Sequence, residues 1–198
     1  MQVARQCYCQ TRIKRVAGKD LARRSLNKPM PEVISYIGLG SNQDGPAEQL
    51  AKAIVAIKKL PQSTFLACSS FYRSKALTLM NDEATPDYLN AVVSIQTGLE
   101  AHHLLDELQA IESSQGRVRG EQRWESRPLD LDILLYADSC IADERLTIPH
   151  AEMCQRDFVL LPLAEIAPEA MITGKGSVAS CLASCQPMVI EKTPYPGS

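Results

Sequence analysis

The 198-residue chain has no apolar run approaching the roughly 20 residues a membrane helix needs. Its N-terminus lacks the apolar stretch of a secretory signal. There is no internal repeat and no low-complexity tract. Seven cysteines are present, but they make no framework. Cys7 and Cys9 sit in a basic tail, Cys181 and Cys185 lie four apart, and Cys68, Cys140 and Cys154 are scattered. That spacing fits neither a zinc site nor a secreted disulfide scaffold, so free thiols in a reducing cytoplasm are expected.

What is there reads as an ordinary globular composition, 45% hydrophobic and 22% charged, long enough for one sizeable core. The net charge of −2 hides an asymmetry. Residues 1–29 hold eight basic side chains (Arg5, Arg12, Lys14, Arg15, Lys19, Arg23, Arg24 and Lys28) against Asp20 alone. The rest keeps 13 of the 21 Lys and Arg but 22 of the 23 Asp and Glu, a poor balance for general nucleic-acid binding. The tail shows no clean periodicity and is read as a disordered basic extension. It resembles a transit peptide, or Met30 is the true start and the tail an optional extension; the latter is favoured. Residues 30–198 are expected to form a single domain.

Four of the 13 remaining basic residues fall in one stretch: Arg117, Arg119, Arg123 and Arg127. Two aspartates follow, Asp130 and Asp132, and then the apolar run Ile133, Leu134, Leu135, which reads as a buried strand. Residues two apart in a strand share a face, so Asp130 and Asp132 lie together, opposite Leu129, Leu131 and Ile133. Two adjacent carboxylates repel unless something positive lies between them. Mg²⁺ takes one or two carboxylates plus substrate phosphates, and arginines supply permanently charged forks for a polyphosphate. The plainer reading is a solvated strand face beside a surface arginine cluster.

Periodicity predicts the frame. Val33 to Leu39 is a strand, and Gly40 permits a sharp turn. A helix follows, capped by Ser41, Asn42 or Asp44, with Pro46 in its first turn. It runs to about Leu60 with Leu50, Ile54 and Ile57 inward. Thr64 to Tyr72 is a second strand, and Lys75 to Pro86 a polar loop. Tyr88 to Thr97 alternates cleanly, with Leu89, Ala91, Val93 and Ile95 on the apolar face. Leu99 to Ser114 is a helix with Leu104, Leu105, Leu108 and Ile111 inward and Gly116 as its stop. Leu129 to Tyr136 is the fourth strand. The order β-α-β-β-α-β is the ferredoxin-like α+β arrangement: an antiparallel sheet with helices on one face and the other open for a ligand. The remainder reads as short helices and loops packed on the core. Tyr88 and Asn90, like Asp130 and Asp132, face away from the helices, and an aromatic with an amide there suits a flat, hydrogen-bonding heterocycle. His102 and His103 are adjacent on a helix, cannot share a face, and are read as surface residues.

These blocks together resemble the 6-hydroxymethyl-7,8-dihydropterin pyrophosphokinase family. They are Tyr36 to Asn42, Ser70 to Ser74, Pro86 to Ala91, Gln115 to Arg117, Arg123-Trp124, Arg127 to Asp132 and Leu146 to His150, across about residues 33–170. The resemblance implies that ATP donates its β,γ-diphosphate to the pterin hydroxymethyl oxygen, releasing AMP, with two Mg²⁺ ions. It implies that Asp130 and Asp132 hold the metals and that Arg117 and Arg127 neutralise the migrating phosphates. It puts the pterin between Tyr88 and Phe158, with Asn90 on its polar edge, backbone near Ser74 and Leu77 completing the pocket, and Trp124 sealing it. Glu112, Arg145, Thr147, His150 and Arg156, with Arg117 and Arg127, match nucleotide-side positions. ATP and the pterin are the expected partners, with no nucleic acid and no membrane, and the chain is expected to act as a monomer. Gly120, Ala151 and Lys75 depart from the family pattern, and the loop from Thr78 to Thr85 is longer than usual. The rivals are a ferredoxin-like RNA-binding module and a relative that binds ligand without turnover.

Overall fold

Val33–Ser41 (β1) runs through the middle of the principal sheet of the computed structural model, which describes residues 31–43, 45–75, 86–116, 128–187 and 190–193. Pro46–Ile57 (α1) follows. Its N-cap is Gly45 at φ 75, which has no side chain to cap with, and Asp44 lies outside the described residues. The N-cap position expected of Ser41 or Asn42 thus falls to Gly45, whose left-handed backbone turns the chain into the helix. The helix stops at Ile57, three residues earlier than expected, although Leu60 stays buried.

The expected strand over Thr64 to Tyr72 is two strands, Ser63–Cys68 (β2) and Phe71–Ser74 (β3). Both pair with Tyr88–Thr97 (β4). The break falls at Ser69 and Ser70. Ser69 exchanges bonds with Val92 through its N–H (2.9 Å) and its hydroxyl (3.0 Å). Ser70 turns its N–H to a side chain of a distant helix. Serine side chains thus replace ladder bonds and free one extra residue.

Ala101–Ser114 (α2) and Asp130–Tyr136 (β5) complete this half. The short pair Ile141–Ala142 (β6) and Thr147–Ile148 (β7) comes next, then a 3-10 turn at Met153–Gln155 and Asp157–Ile166 (α3). Met171–Ile172 (β8) pairs with Gly176–Ser177 (β9), and Val178–Ser184 (α4) and Ile190–Thr193 (β10) end the described chain.

The sheet is antiparallel in the order β10-β3-β4-β1-β5, with β2 also on β4. One face carries Ile37, Leu39, Leu89, Ala91, Val93, Ile95, Leu131 and Ile133 against Leu50, Ile54 and Ile57 of α1 and Leu104, Leu108 and Ile111 of α2. The sequence expectation of a free second face is corrected: part of it is covered. Val92 and Leu134 are each 1% exposed there, packed with Met153, Leu160, Leu163 and Val178. These two apolar residues share parity with the polar face and bring α3 and α4 down over part of it. The open face is therefore reduced to a trough beside α3.

Candidate active site

Two glycines make that trough. Gly38 and Gly40 of β1 point at the same face as their cross-strand neighbours. Gly40 pairs with Asn90 on β4 and Asp130 on β5; Gly38 pairs with Val92 and Asp132. Neither glycine has a left-handed φ, so the backbone does not require glycine at either position. Gly40 lies inside β1 and makes no sharp turn, which corrects the sequence expectation. The glycines serve by lacking side chains. A Cβ at Gly38 would meet Leu134 Cδ2 at 3.3 Å, and one at Gly40 would sit 3.6 Å from Asn90 Oδ1. The result is a pocket of about 300 Å³, floored by β1 and walled by β4, β5 and the start of α3.

One wall is acidic. Asp130 and Asp132 both line the pocket, and their alternation partners Leu129, Leu131 and Ile133 are buried beneath. The start of β5 is pinned from below. Glu112, 3% exposed, accepts the Leu131 N–H at 2.8 Å, and Ser41 donates its hydroxyl to the Pro128 carbonyl. The two aspartates are thus presented on anchored backbone.

The opposite wall is aromatic and amide. Ser74, Tyr88, Asn90 and Phe158 line it. Asn90 Nδ2 donates to Ser74 Oγ at 2.9 Å and to the Tyr72 carbonyl at 3.3 Å, which fixes the amide plane. Arg156 lies over the Phe158 ring at 5.7 Å and pairs with Glu152. His150 also lines the pocket, and its backbone N–H donates to the Leu134 carbonyl at 3.0 Å. Its Nδ1 is buried with no hydrogen-bond partner among the described residues. Such a group costs about 1–3 kcal/mol that a ligand would recover.

Of the residues expected from sequence, the pocket gathers Ser74, Tyr88, Asn90, Asp130, Asp132, His150, Arg156 and Phe158. Glu112 lies under the floor, and Thr147 is exposed on β7, outside the pocket lining. Arg145 is also outside it and pairs with Asp106, whose carboxyl this bond draws below its usual range. Arg117, Arg127, Trp124 and Leu77 lie outside the described residues, as do Gly120 and the loop from Thr78 to Thr85. His102 and His103 are surface residues, His102 pairing with Asp143 at 2.9 Å. Sequence reasoning missed Gly38 as floor and Lys75, Leu134 and Val159 as lining. The signal for the floor was present: glycines two apart within a strand share one face.

Among the described residues no cluster of three or more His, Cys, Asp or Glu forms a metal cage. Two carboxylates beside an open trough instead fit an ion that completes its shell with substrate oxygens and water, the habit of Mg²⁺. The five described cysteines are free thiols, and no described helix is long and apolar enough to cross a membrane.

A profile of the 7,8-dihydro-6-hydroxymethylpterin-pyrophosphokinase (HPPK) family matches residues 36–168. The 2-amino-4-hydroxy-6-hydroxymethyldihydropteridine pyrophosphokinase of Haemophilus influenzae is 51% identical over 140 residues, 71% of this chain and 85% of that protein. The protein of the same name from Pseudomonas aeruginosa is 41% identical over 159 residues, covering 80% and 96%. Among solved structures, an HPPK-DHPS in complex with substrates superposes with a TM-score of 0.61 at 14% identity, over 78% of this chain and 43% of that one. Plasmodium falciparum HPPK-DHPS with pteroate gives 0.60 at 13% identity over 77% and 44%. This chain therefore spans less than half of those larger proteins, and the likeness is one of fold.

Proposed function

Since the chain belongs to the 7,8-dihydro-6-hydroxymethylpterin-pyrophosphokinase family, enzymes of folate biosynthesis, we infer that the trough holds pterin at its Asn90 end and ATP phosphates at its Asp130 end. The observation that carries this is the rung Asn90, Gly40, Asp130 across three strands. It sets an amide and a carboxylate on opposite sides of a floor without side chains, with Asp132 one rung along beside Gly38.

The reaction follows from that layout. The pterin hydroxymethyl oxygen attacks the β-phosphorus of ATP, the bond from that phosphorus to the α-phosphate bridging oxygen breaks, and AMP leaves. The hydroxyl proton passes to a nearby base, for which Asp132 is the candidate. Phosphoryl chemistry of this kind rests on positioning and charge neutralisation. Asp130 and Asp132 would hold two Mg²⁺ ions, which when bound would supply positive charge to neutralise the triphosphate. Arg117 and Arg127 would neutralise the migrating diphosphate, and Trp124 would seal the site with Leu77 backbone completing the pterin pocket. Asn90 orients the ring edge, with Ser74 bonded behind it. Tyr88 and Phe158 flank the ring. His150 offers its unpartnered Nδ1, and Arg156 its guanidinium, to the nucleotide. Glu112 acts through the backbone of β5. Arg145 and Thr147 would reach the nucleotide only by moving.

The strand order β5-β1-β4-β3 with α1 and α2 on one face supports a ferredoxin-like core. We read residues 30–198 as one catalytic domain with 1–29 as an extension, acting as a cytoplasmic monomer. An RNA platform is disfavoured because α3 roofs part of the sheet face that would display stacking aromatics.

The test is AMP release from ATP and Mg²⁺ with and without 6-hydroxymethyl-7,8-dihydropterin, with the product weighed by mass spectrometry. Pterin-dependent AMP and a diphosphorylated pterin support the reading. Folded protein that binds both substrates without turnover sinks it in favour of a non-catalytic relative.

A further inference from the structure

Away from the pocket, one carboxylate gathers three elements. Glu165 lies in the last turn of α3. Its Oε2 accepts from the Ser70 N–H at 3.1 Å and from the Tyr72 hydroxyl at 2.7 Å. Its Oε1 accepts from the Ser70 hydroxyl at 2.9 Å and lies 3.3 Å from Lys192 Nζ of β10. The Lys192 ammonium also sits 5.8 Å from the centre of the Tyr72 ring. Burial raises the Glu165 carboxyl, but the bonds from Tyr72, Ser70 and Lys192 together outweigh it and hold the group below its usual range. Burial, then the same carboxylate, pushes the Tyr72 hydroxyl up. Three hydrogen bonds and an ion pair converge on one side chain that is 27% accessible and does not line the pocket.

The position of this clamp matters because of where its two ends lead. Tyr72 pairs with Asn90, Asn90 with Gly40, and Gly40 with Asp130, so the clamp grips the outer end of the rung that forms the trough. Tyr72 also supplies the carbonyl that holds Asn90 Nδ2. On the helix side, Phe158 and Val159 line the pocket from the first turn of α3. Glu165 is seven residues further on, roughly 10 Å along the same helix, with Pro162 between them. The helix is therefore fastened at one end and overhangs the trough at the other.

We propose that Glu165 is a positioning residue for pterin binding: it sets the height and slide of α3 over β3, and so the gap between Phe158 and the Asn90 rung. The proposal rests on the pterin reading of that gap. It also accounts for the break between β2 and β3, since Ser70 must leave the ladder to reach Glu165.

The experiment uses the full chain and two variants, Glu165→Gln and Tyr72→Phe. Glutamine is isosteric but faces Ser70 and Tyr72 donors with an amide N–H₂ at one of its two positions. Pterin and ATP affinities are measured by calorimetry, and kcat and both KM values by AMP release. Glu165→Gln is expected to raise the pterin Kd and KM about tenfold while kcat and the ATP KM stay within about twofold. Tyr72→Phe, which keeps the Ser70 bonds, gives a smaller rise, and the double variant is no worse than Glu165→Gln. Wild-type protein that fails to bind pterin removes the reading on which the proposal stands. Wild-type binding matched by Glu165→Gln overturns the proposal alone. A parallel loss in kcat, both KM values and melting temperature also overturns it, since that is ordinary destabilisation.

Discussion

Replacing Gly40 by alanine should make this protein more stable and a worse enzyme. Gly40 has no left-handed φ, and a Cβ there stands 3.6 Å from Asn90 Oδ1, an ordinary contact. Glycine inside a strand is about 0.5–1 kcal/mol less favourable than alanine, so Gly40→Ala should gain that much, or about 1–4 °C in Tm. The added methyl stands on the floor between Asp130 and Asn90, where the phosphates and the pterin must meet. Displacing a reacting group by about 1 Å costs on the order of 100-fold, equivalent to about 2.7 kcal/mol of barrier. The assay pairs thermal unfolding with kcat/KM for AMP release. Gly38→Ala is the contrast: its Cβ lies 3.3 Å from Leu134 Cδ2, and Leu134 is 1% exposed with little room to yield. It should lose activity without gaining stability. Wild-type kcat/KM in Gly40→Ala would refute the trough as the reaction floor. A fall in Tm of several degrees would refute the steric argument.

Asp132→Ala should cut turnover by about 10³-fold through loss of a metal-binding carboxylate; near-normal rates at saturating Mg²⁺ would remove that assignment. The Glu165 carboxyl is depressed below its ordinary value of 4.5, so its bonds stabilise the fold above that value and are lost as pH falls through the lower folded value. The Tm difference between wild type and Glu165→Gln should therefore shrink as pH drops from about 6 towards 3, and a gap that widens would contradict the sign. Deleting residues 1–29 should leave Tm and AMP release nearly unchanged, and a large loss in either would make the tail part of the working domain.

The elements that sequence located well are those whose periodicity is local. In β4 the alternation of Leu89, Ala91, Val93 and Ile95 is carried by the residues themselves, and all four are buried. The parity that put Asp130 with Asp132 and Tyr88 with Asn90 needed only a strand to act on, and all four residues line one pocket. What went unread depends on partners far along the chain. Nothing within Thr64 to Tyr72 demands a break; the demand comes from Glu165, 95 residues beyond Ser70. The edge strand β10 is four residues long and exists because β3 offers it a ladder.

The partly roofed face was legible in principle. Val92 sits among Asn90, Ser94 and Gln96, and Leu134 continues the parity of Asp130 and Asp132. Each is an apolar residue on an otherwise polar face, and a lone apolar residue on a polar face is easily passed over as ordinary. The two lie on strands flanking β1, one on either side of Gly38, so together they form one apolar spot. A spot that size needs a cover, and the run Phe158, Val159, Leu160, Leu161 is the apolar segment available to supply it. Once α3 is seated there, Phe158 overhangs the glycine floor, and the pocket follows from burying Val92 and Leu134. The site is thus a by-product of core formation on the second face. Leu134→Ser should therefore disturb pterin affinity, measured by calorimetry, both at the pocket lining and through α3, and lower Tm as well.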